Sequence, residues 1–182
     1  MLSPSLADAE ETGATDMKAT LVGALAVSTA QAQAEGQLLV LLRDSSQLAI
    51  VDPASGEIVG TVGTGRDPHE VTASDDGRLA FVASMVDGIS VIDIAARKEI
   101  RRVDPGTGSE THDLLYHEGK VYFTIEGYKS IGRYDPAADA IDWTMGIGED
   151  GTHLLVLDRN TGTMFMPNTR STSLVPEPSA TV

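Results

Sequence analysis

Residues 69–103, HEVTASDDGRLAFVASMVDGISVIDIAARKEIRRV, decide the fold of this chain. The stretch contains four short runs of strand character, which are residues 69–74, 78–84, 88–93 and 98–103. Turns rich in Asp, Gly and Ala separate these runs. Asp-Gly pairs suit tight hairpins because glycine adopts positive φ without steric cost. The apolar run LAFVA at 79–83 is typical of a strand that is covered on both faces. The stretch therefore predicts one sheet of four antiparallel strands.

The same unit recurs along the chain at a step of about 42 residues. Three segments align without gaps: LLVLLRDSSQLAIVD at 38–52, LAFVASMVDGISVID at 79–93 and VYFTIEGYKSIGRYD at 121–135. Their closing residues, Asp52, Asp93 and Asp135, lie 41 and 42 residues apart. A period of this length with four strands in each unit is typical of propeller blades. We predict an all-β fold, a partial β-propeller of four-stranded antiparallel blades.

The repeats cover residues 35–175 and make about three and a half blades, whereas closed propellers have about four to eight. An arc of this size leaves an apolar blade face uncovered at each end, at a cost on the order of 10 kcal/mol per face. We therefore expect a truncated form of a longer protein or, as the alternative, a dimer or another partner that completes the ring. Residues 176–182 are predicted to form a disordered tail.

The amino terminus carries the pattern of an export signal. Lys18 precedes an apolar run at 19–27, and small residues in the pattern Ala-x-Ala follow. A basic start, an apolar middle and a small-residue end are typical of a secretory signal peptide, here residues 17–34. The acidic residues 1–16 form an extension ahead of it. Residues 1–34 thus lie outside the predicted propeller, and the protein is expected in the periplasm or outside the cell.

Composition excludes several classes of partner and chemistry. The chain of 182 residues has 13 Lys and Arg against 27 Asp and Glu, a net charge of −14. A nucleic-acid backbone would be repelled by this charge, so no nucleic-acid partner is expected. No apolar run is long enough to span a membrane. The chain has no cysteine, which excludes disulfides, thiolate metal sites and a cysteine nucleophile.

Short motifs at fixed places in the repeat resemble a known family. Tetrapeptides that end a strand are FVAS at 81–84, YFTI at 122–125 and FMPN at 165–168. A Val-Ile-Asp strand end follows at 91–93, and a Gly-x-x-Pro-His turn at 65–69 precedes Asp-Asp-Gly at 75–77. In this order of elements, over roughly residues 37–175, the chain is similar to the YVTN family of β-propeller repeats. The resemblance implies a secreted or periplasmic propeller and no particular activity.

The candidate ligand-binding residues lie where each repeat starts its innermost strand. His69, His112 and His153 recur there, which predicts that they share one rim of the propeller near its channel. Each imidazole could hydrogen-bond the adjacent blade, ligate a metal or transfer protons, and the repetition favours the first role. Glu70 and Asp113 follow two of the histidines. These acids are interpreted as solvated rim charge, with calcium binding or acid–base work as alternatives.

No catalytic constellation interrupts the repeats, and no catalytic residue or cofactor is therefore expected. The predicted function is that of an exported, non-catalytic propeller scaffold that binds a protein or a small molecule at its rim. The alternative is a propeller enzyme of the lactonase or metal-dependent oxidoreductase type, in which His69, Glu70 and His112 face the channel. A third interpretation is that the chain is a fragment without function.

Overall fold

The computed structural model describes residues 36–170 and, further along the chain, Ala180–Thr181. The predicted signal peptide lies outside these residues, as does most of the predicted tail. Within the described residues no helix has the length and apolar character that a membrane crossing requires. The strands in chain order are β1 (Leu38–Leu42), β2 (Gln47–Val51), β3 (Ile58–Gly63), β4 (Pro68–Ala73), β5 (Leu79–Ser84), β6 (Gly88–Asp93), β7 (Lys98–Val103), β8 (Thr111–His117), β9 (Lys120–Ile125), β10 (Ser130–Asp135), β11 (Ala140–Gly146), β12 (Val156–Asp158), β13 (Thr163–Phe165) and β14 (Ala180–Thr181).

These strands form antiparallel sheets that follow one another along the chain. The first sheet has the order β1-β2-β3, the second β4-β5-β6-β7, the third β8-β9-β10-β11 and the last β12-β13-β14. Short 3-10 turns, Arg43–Ser45 and Glu126–Tyr128, connect β1 to β2 and β9 to β10. The described part of the chain is therefore all-β and forms a partial β-propeller, which confirms the predicted fold class.

The second sheet matches its prediction closely, and the last sheet does so less well. Strands β6 and β7 have the predicted bounds, and β4 and β5 differ from theirs by one residue. In the last blade the repeat also predicts strands at residues 153–158 and 163–168, and these shorten to β12 and β13, with a bridge between Thr152 and Asn168. Pro167 lies inside the second run and has no N–H to donate to a ladder. Strand β14, in the segment predicted as a tail, pairs with β13.

The core lies between neighbouring sheets, and β5 shows how it is built. Successive side chains of a strand point to opposite faces. Ala80 and Val82 belong to the cluster shared with the first sheet, whereas Phe81 and Ala83 belong to the cluster shared with the third. All four side chains are fully buried. A similar cluster joins the third sheet to the last through Tyr122, Ile131, Leu155, Met164 and Met166.

Glycines supply the conformation that the tight hairpins require. Gly77, in the predicted Asp-Asp-Gly turn, has a φ of +68°. Gly88 has a φ of +77°, and a Cβ at this position would collide with the carbonyl oxygen of Val103 on the neighbouring strand. Residues that carry a side chain rarely adopt a backbone conformation with positive φ, so glycine is the residue that fits both positions.

We predict that burial between sheets dominates the stability of the arc. Phe81→Ala should lower the free energy of unfolding by about 3–5 kcal/mol, because the ring is fully buried between two sheets and a cavity would remain. The matched control is Phe165→Ala, since this ring is 55% exposed. Urea denaturation followed by tryptophan fluorescence measures both changes. Equal losses from the two variants would contradict the burial argument.

One ion pair fastens the second sheet to the loop that precedes it. The Asp87 carboxylate accepts hydrogen bonds from the Arg66 backbone N–H at 2.7 Å, Nε at 2.9 Å and Nη2 at 2.7 Å. These bonds to the ionised form lower the pKa of Asp87 to about 2. The turn between β5 and β6 is thus tied to the start of β4 by a charge-assisted contact.

This pair predicts a defined pH dependence. Asp87→Asn should lower the free energy of unfolding at neutral pH, because hydrogen bonds to a charged carboxylate are lost. The contribution is present above the ordinary pKa of 3.8 and disappears as the pH falls towards about 2, since the unfolded chain binds the proton more tightly. Urea denaturation across this range should show the difference from wild type shrinking. Asp75→Asn, in an exposed turn, is the control.

Candidate functional site

The first rim histidine lies in an irregular part of an inner strand. The pairing of β4 with β5 shifts register between Pro68 and Val71. His69 and Glu70 lie inside this shift and together face one residue of β5, Ala83. An extra residue of this kind is a β-bulge, which bends the strand and redirects its side chains, and bulges are frequent beside functional sites.

The second rim histidine lies in an equivalent bulge. The pairing of β8 with β9 shifts between Thr111 and Leu114, so that His112 and Asp113 together face Thr124. The Thr124 hydroxyl accepts a hydrogen bond from the backbone N–H of Asp113 at 2.8 Å. The bulge is therefore held by a side chain of the neighbouring strand.

The third histidine precedes β12, and the pairing there is also uneven. Between the bridge Thr152–Asn168 and the pair Val156–Phe165, three residues of one segment face two of the other. His153 is the first of the three. All three histidines therefore occupy places where the inner segment carries one residue more than its partner.

The structure brings the three imidazoles into a row. His69 Nδ1 lies 3.0 Å from His112 Nε2, and the centroids of these two rings are 4.5 Å apart. The centroids of the His112 and His153 rings are 3.9 Å apart. The residues come from three consecutive sheets, so the predicted proximity of the three histidines on one rim is present in the structure.

Several polar atoms in and beside this row are buried and have no hydrogen-bond partner among the residues that the structure describes. They are Nε2 of His69, Nδ1 of His112 and Oε1 of Glu126. His112 is 7% exposed and the side chain of Glu126 is 5% exposed. Leaving such atoms unpaired away from water costs about 1–3 kcal/mol each, and native structures rarely tolerate it.

Glu126 joins the row at its far end. One ligand atom each from His112, His153 and Glu126 lie within 4.8 Å of one another. The other carboxylate oxygen of Glu126, Oε2, is 3.9 Å from Nη2 of Arg170. Two imidazoles and a carboxylate thus converge at the rim.

Glu126 is not among the residues predicted from the sequence, although a signal for it exists. Glu126 begins the 3-10 turn after β9, and Arg43 begins the corresponding turn after β1. In the gapless alignment of the repeats these two residues also occupy the same column, with Ser84 between them. The column holds Arg, Ser and Glu, so it is a position at which the repeats differ, and such a position is a candidate for a role of its own in one blade.

A second acid lies at the opposite end of the row. Oδ2 of Asp67 is 3.6 Å from Nε2 of His69, and Asp67 also forms an ion pair with Arg43. The Arg43 guanidinium lowers the pKa of Asp67 below its ordinary value, so the carboxylate is ionised at neutral pH. Asp67 was absent from the candidate residues because nothing in the repeat distinguishes it.

The central imidazole is neutral at physiological pH. Burial, reinforced by the neighbouring His153 and His69, lowers the pKa of His112 to about 4. A neutral imidazole keeps a lone pair on one ring nitrogen, which is the form that binds metal ions.

The two predicted rim acids have different surroundings. Burial and the neighbouring Asp113 raise the pKa of Glu70, and burial raises the pKa of Asp113. Asp113 also has a structural role, because Oδ2 accepts from the Leu155 backbone N–H at 2.6 Å and Oδ1 from the Leu114 N–H at 2.7 Å. It therefore joins the third sheet to the last.

We predict that Asp113→Ala destabilises the junction between the third and last sheets. The backbone N–H groups of the buried residues Leu114 and Leu155 would lose their acceptor, which should lower the free energy of unfolding by about 1–3 kcal/mol. Hydrogen exchange should show faster exchange of the Leu155 amide. Asp75→Ala is the control for loss of an exposed acid, and an unchanged Leu155 amide in Asp113→Ala would contradict the assignment.

Residues 33–137 match the family described as Cytochrome D1 heme domain. The match covers more than half of the chain, which belongs to this family of β-propellers. It includes His69, His112 and Glu126, whereas His153 lies beyond it. The match supports the predicted propeller but gives no support to the YVTN repeat family.

The solved structures support the same fold. Hydrazine synthase from Kuenenia stuttgartiensis superposes with a TM-score of 0.68 at 17% sequence identity. The alignment covers 74% of this chain and 40% of that chain, so the present chain spans less than half of its structural neighbour. At this identity the likeness concerns the fold alone. No curated protein matches by sequence.

The family name refers to heme, and the residues of the rim can be tested against that group. The macrocycle occupies four positions around a heme iron and leaves one axial position on each face. His112, His153 and Glu126 converge on one place and cannot all occupy such positions. The rings of His69 and His153 also pack against that of His112. The three-residue cluster therefore does not fit a heme iron.

Proposed function

We propose that the chain is a binding module of the β-propeller type whose ligand site is the rim lined by His69, Glu70, His112, Asp113 and His153. The observation that carries this proposal is Nδ1 of His112, a buried ring nitrogen that has no hydrogen-bond partner within the described residues. A bound ligand that accepts its electron pair or donates a hydrogen bond to it would relieve its desolvation.

Binding without catalysis is the simpler role for this rim. Both carboxylate oxygens of Asp113 accept backbone hydrogen bonds, and these bonds fix the sheets rather than leave an acid free for proton transfer. The histidines contact one another across the sheets. These contacts favour a preorganised surface that holds a ligand.

The proposal includes an exported location and a partner. The signal-peptide pattern at 17–34 supports the periplasm or the extracellular space. The family is one of eight-bladed propellers, and the described residues form four sheets. A second copy or another chain that completes the ring would cover the outward faces of β3 and β13, where Ile58 is 60% and Phe165 is 55% exposed.

An enzymatic role is the second candidate, and Glu70 favours it. Its raised pKa, caused by burial and by Asp113, moves the carboxyl closer to neutral pH than an ordinary glutamate. An acid in this state beside His69 could transfer protons to a lactone or another ester. Turnover of such an ester by wild type, lost in Glu70→Gln, would favour the enzyme over the binding module.

Thermal unfolding tests the binding module directly. The chelator-treated chain is heated alone and with Zn²⁺, Cu²⁺ or hemin, one probe at a time. A ligand at one hundred times its Kd stabilises a folded protein by about 2.7 kcal/mol, so at least one probe should raise Tm by several degrees. The increase should disappear in His112→Gln.

The control is His117→Gln, because His117 lies outside the row and near Arg159. This variant should keep the increase in Tm. Failure of all three probes to stabilise wild type, or an equal effect of a probe on wild type and His112→Gln, would overturn the proposed function.

A further inference from the structure

We propose that His112, His153 and Glu126 bind one divalent transition-metal ion of the zinc type, and that Asp67 and His69 position His112 for it. The inference rests on the proposed function that the rim binds a ligand, and it names that ligand. The inference also goes beyond the family name, which refers to heme, because the proposed ion is held by protein side chains without a heme macrocycle.

The chemistry of the donors selects this class of ion. Two imidazole nitrogens and one carboxylate oxygen are ligands that zinc and similar first-row ions accept, with positions left for water or a small ligand. Calcium and magnesium prefer sets made of oxygen atoms. The chain has no cysteine, so an ion that requires thiolates is excluded.

Burial is the second, independent observation. In the described part of the chain, Nδ1 of His112 and Oε1 of Glu126 have no hydrogen-bond partner, and both side chains are more than nine-tenths buried. A metal ion would satisfy both atoms at once. It would also offset the negative charge of Glu126, which Arg170 at 3.9 Å neutralises weakly because its side chain is 69% exposed.

The distances require only small rotations of side chains. The three ligand atoms lie within 4.8 Å of one another. Two donors on a tetrahedral zinc ion are about 3.4 Å apart, given bonds of about 2.1 Å. His153 is partly exposed, whereas His112 and Glu126 are buried, so His153 is the side chain with room to close the difference and the point at which the ion enters.

The contact between His69 and His112 determines which ring nitrogen faces the ion. One of the two nitrogens, 3.0 Å apart, must carry the shared proton. If His112 Nε2–H donates, then Nε2 of His69 carries its own proton and turns an N–H towards Asp67 at 3.6 Å. The opposite arrangement would face a lone pair of His69 with the carboxylate, which is repulsive.

Asp67 therefore selects the tautomer in which Nδ1 of His112 keeps its lone pair. This nitrogen is buried and has no hydrogen-bond partner among residues 36–170 and 180–181. A carboxylate and a hydrogen-bonded group behind a metal-binding histidine commonly fix its ring and raise its basicity. His69 is thus a positioning residue, and His112 is a ligand.

Metal binding to the full chain tests the ligand set. After chelator treatment, Zn²⁺ is titrated against a chromophoric competitor, and bound zinc is counted by mass spectrometry. Wild type should bind one ion per chain. Glu126→Gln, which keeps the shape and removes the charge, and His112→Gln should each lose stoichiometric binding, while His117→Gln should bind as wild type does.

Cobalt spectroscopy tests the positioning role. His69→Gln and Asp67→Asn should still bind one Co²⁺, with affinity lowered by about 10–100-fold, and the visible d–d spectrum should change because the ring of His112 is no longer fixed. Tm of the metal-free variants, measured with chelator, separates this effect from unfolding. An unchanged affinity and spectrum would overturn the positioning role.

The outcomes also separate this inference from the proposed function. If hemin stabilises the chain through the rim and Zn²⁺ does not bind, the metal site is wrong and the binding module stands. Stoichiometric zinc in Glu126→Gln with the affinity of wild type would also overturn the ligand set. If no probe binds, both proposals fail.

Discussion

The burial of each middle sheet on both faces is the constraint on which this structure depends. In β5, Ala80 and Val82 pack towards the first sheet while Phe81 and Ala83 pack towards the third. A slip of one residue would exchange the two sets and leave neither cluster complete, so the register of the strand is fixed from both sides. The same requirement repeats from sheet to sheet, and it holds the innermost strands together at one edge of the arc.

This constraint also explains why the rim residues need bulges. A regular strand would direct consecutive side chains to opposite faces, both of them already filled by the core. The bulges at His69–Glu70 and His112–Asp113 release these residues from the alternation. Asp113 can then accept from the Leu155 N–H while His112 contacts the imidazoles on either side. The packed blades thus provide a rigid frame for an irregular polar row.

The sequence predicts regular features better than local departures from them. The bounds of β6 follow from an apolar run after an Asp-Gly turn, and β7 begins directly after the Ala-rich turn at 95–97, because packing and turn chemistry agree there. The proximity of the three histidines follows from their spacing. The bulges could not be predicted, because a bulge changes which residues of two strands pair and leaves no mark in the pattern of residue types. Glu126 was missed because its role depends on a contact with another sheet, and the repeats show only that its column varies from Arg43 through Ser84 to Glu126.

The two acids at the ends of the histidine row differ in how well their charges are paired, so the two ends are not equivalent. At one end Asp67 is paired with Arg43, so its charge is balanced. At the other end Glu126 is more deeply buried, and the ion-pair partner that the described residues offer it is the distant guanidinium of Arg170. Recurring histidines alone would be explained by packing between blades, because packing needs are the same in every repeat. Within the described residues the imbalance lies beside Glu126, and a buried carboxylate next to imidazoles is stabilised most effectively by a cation placed among them.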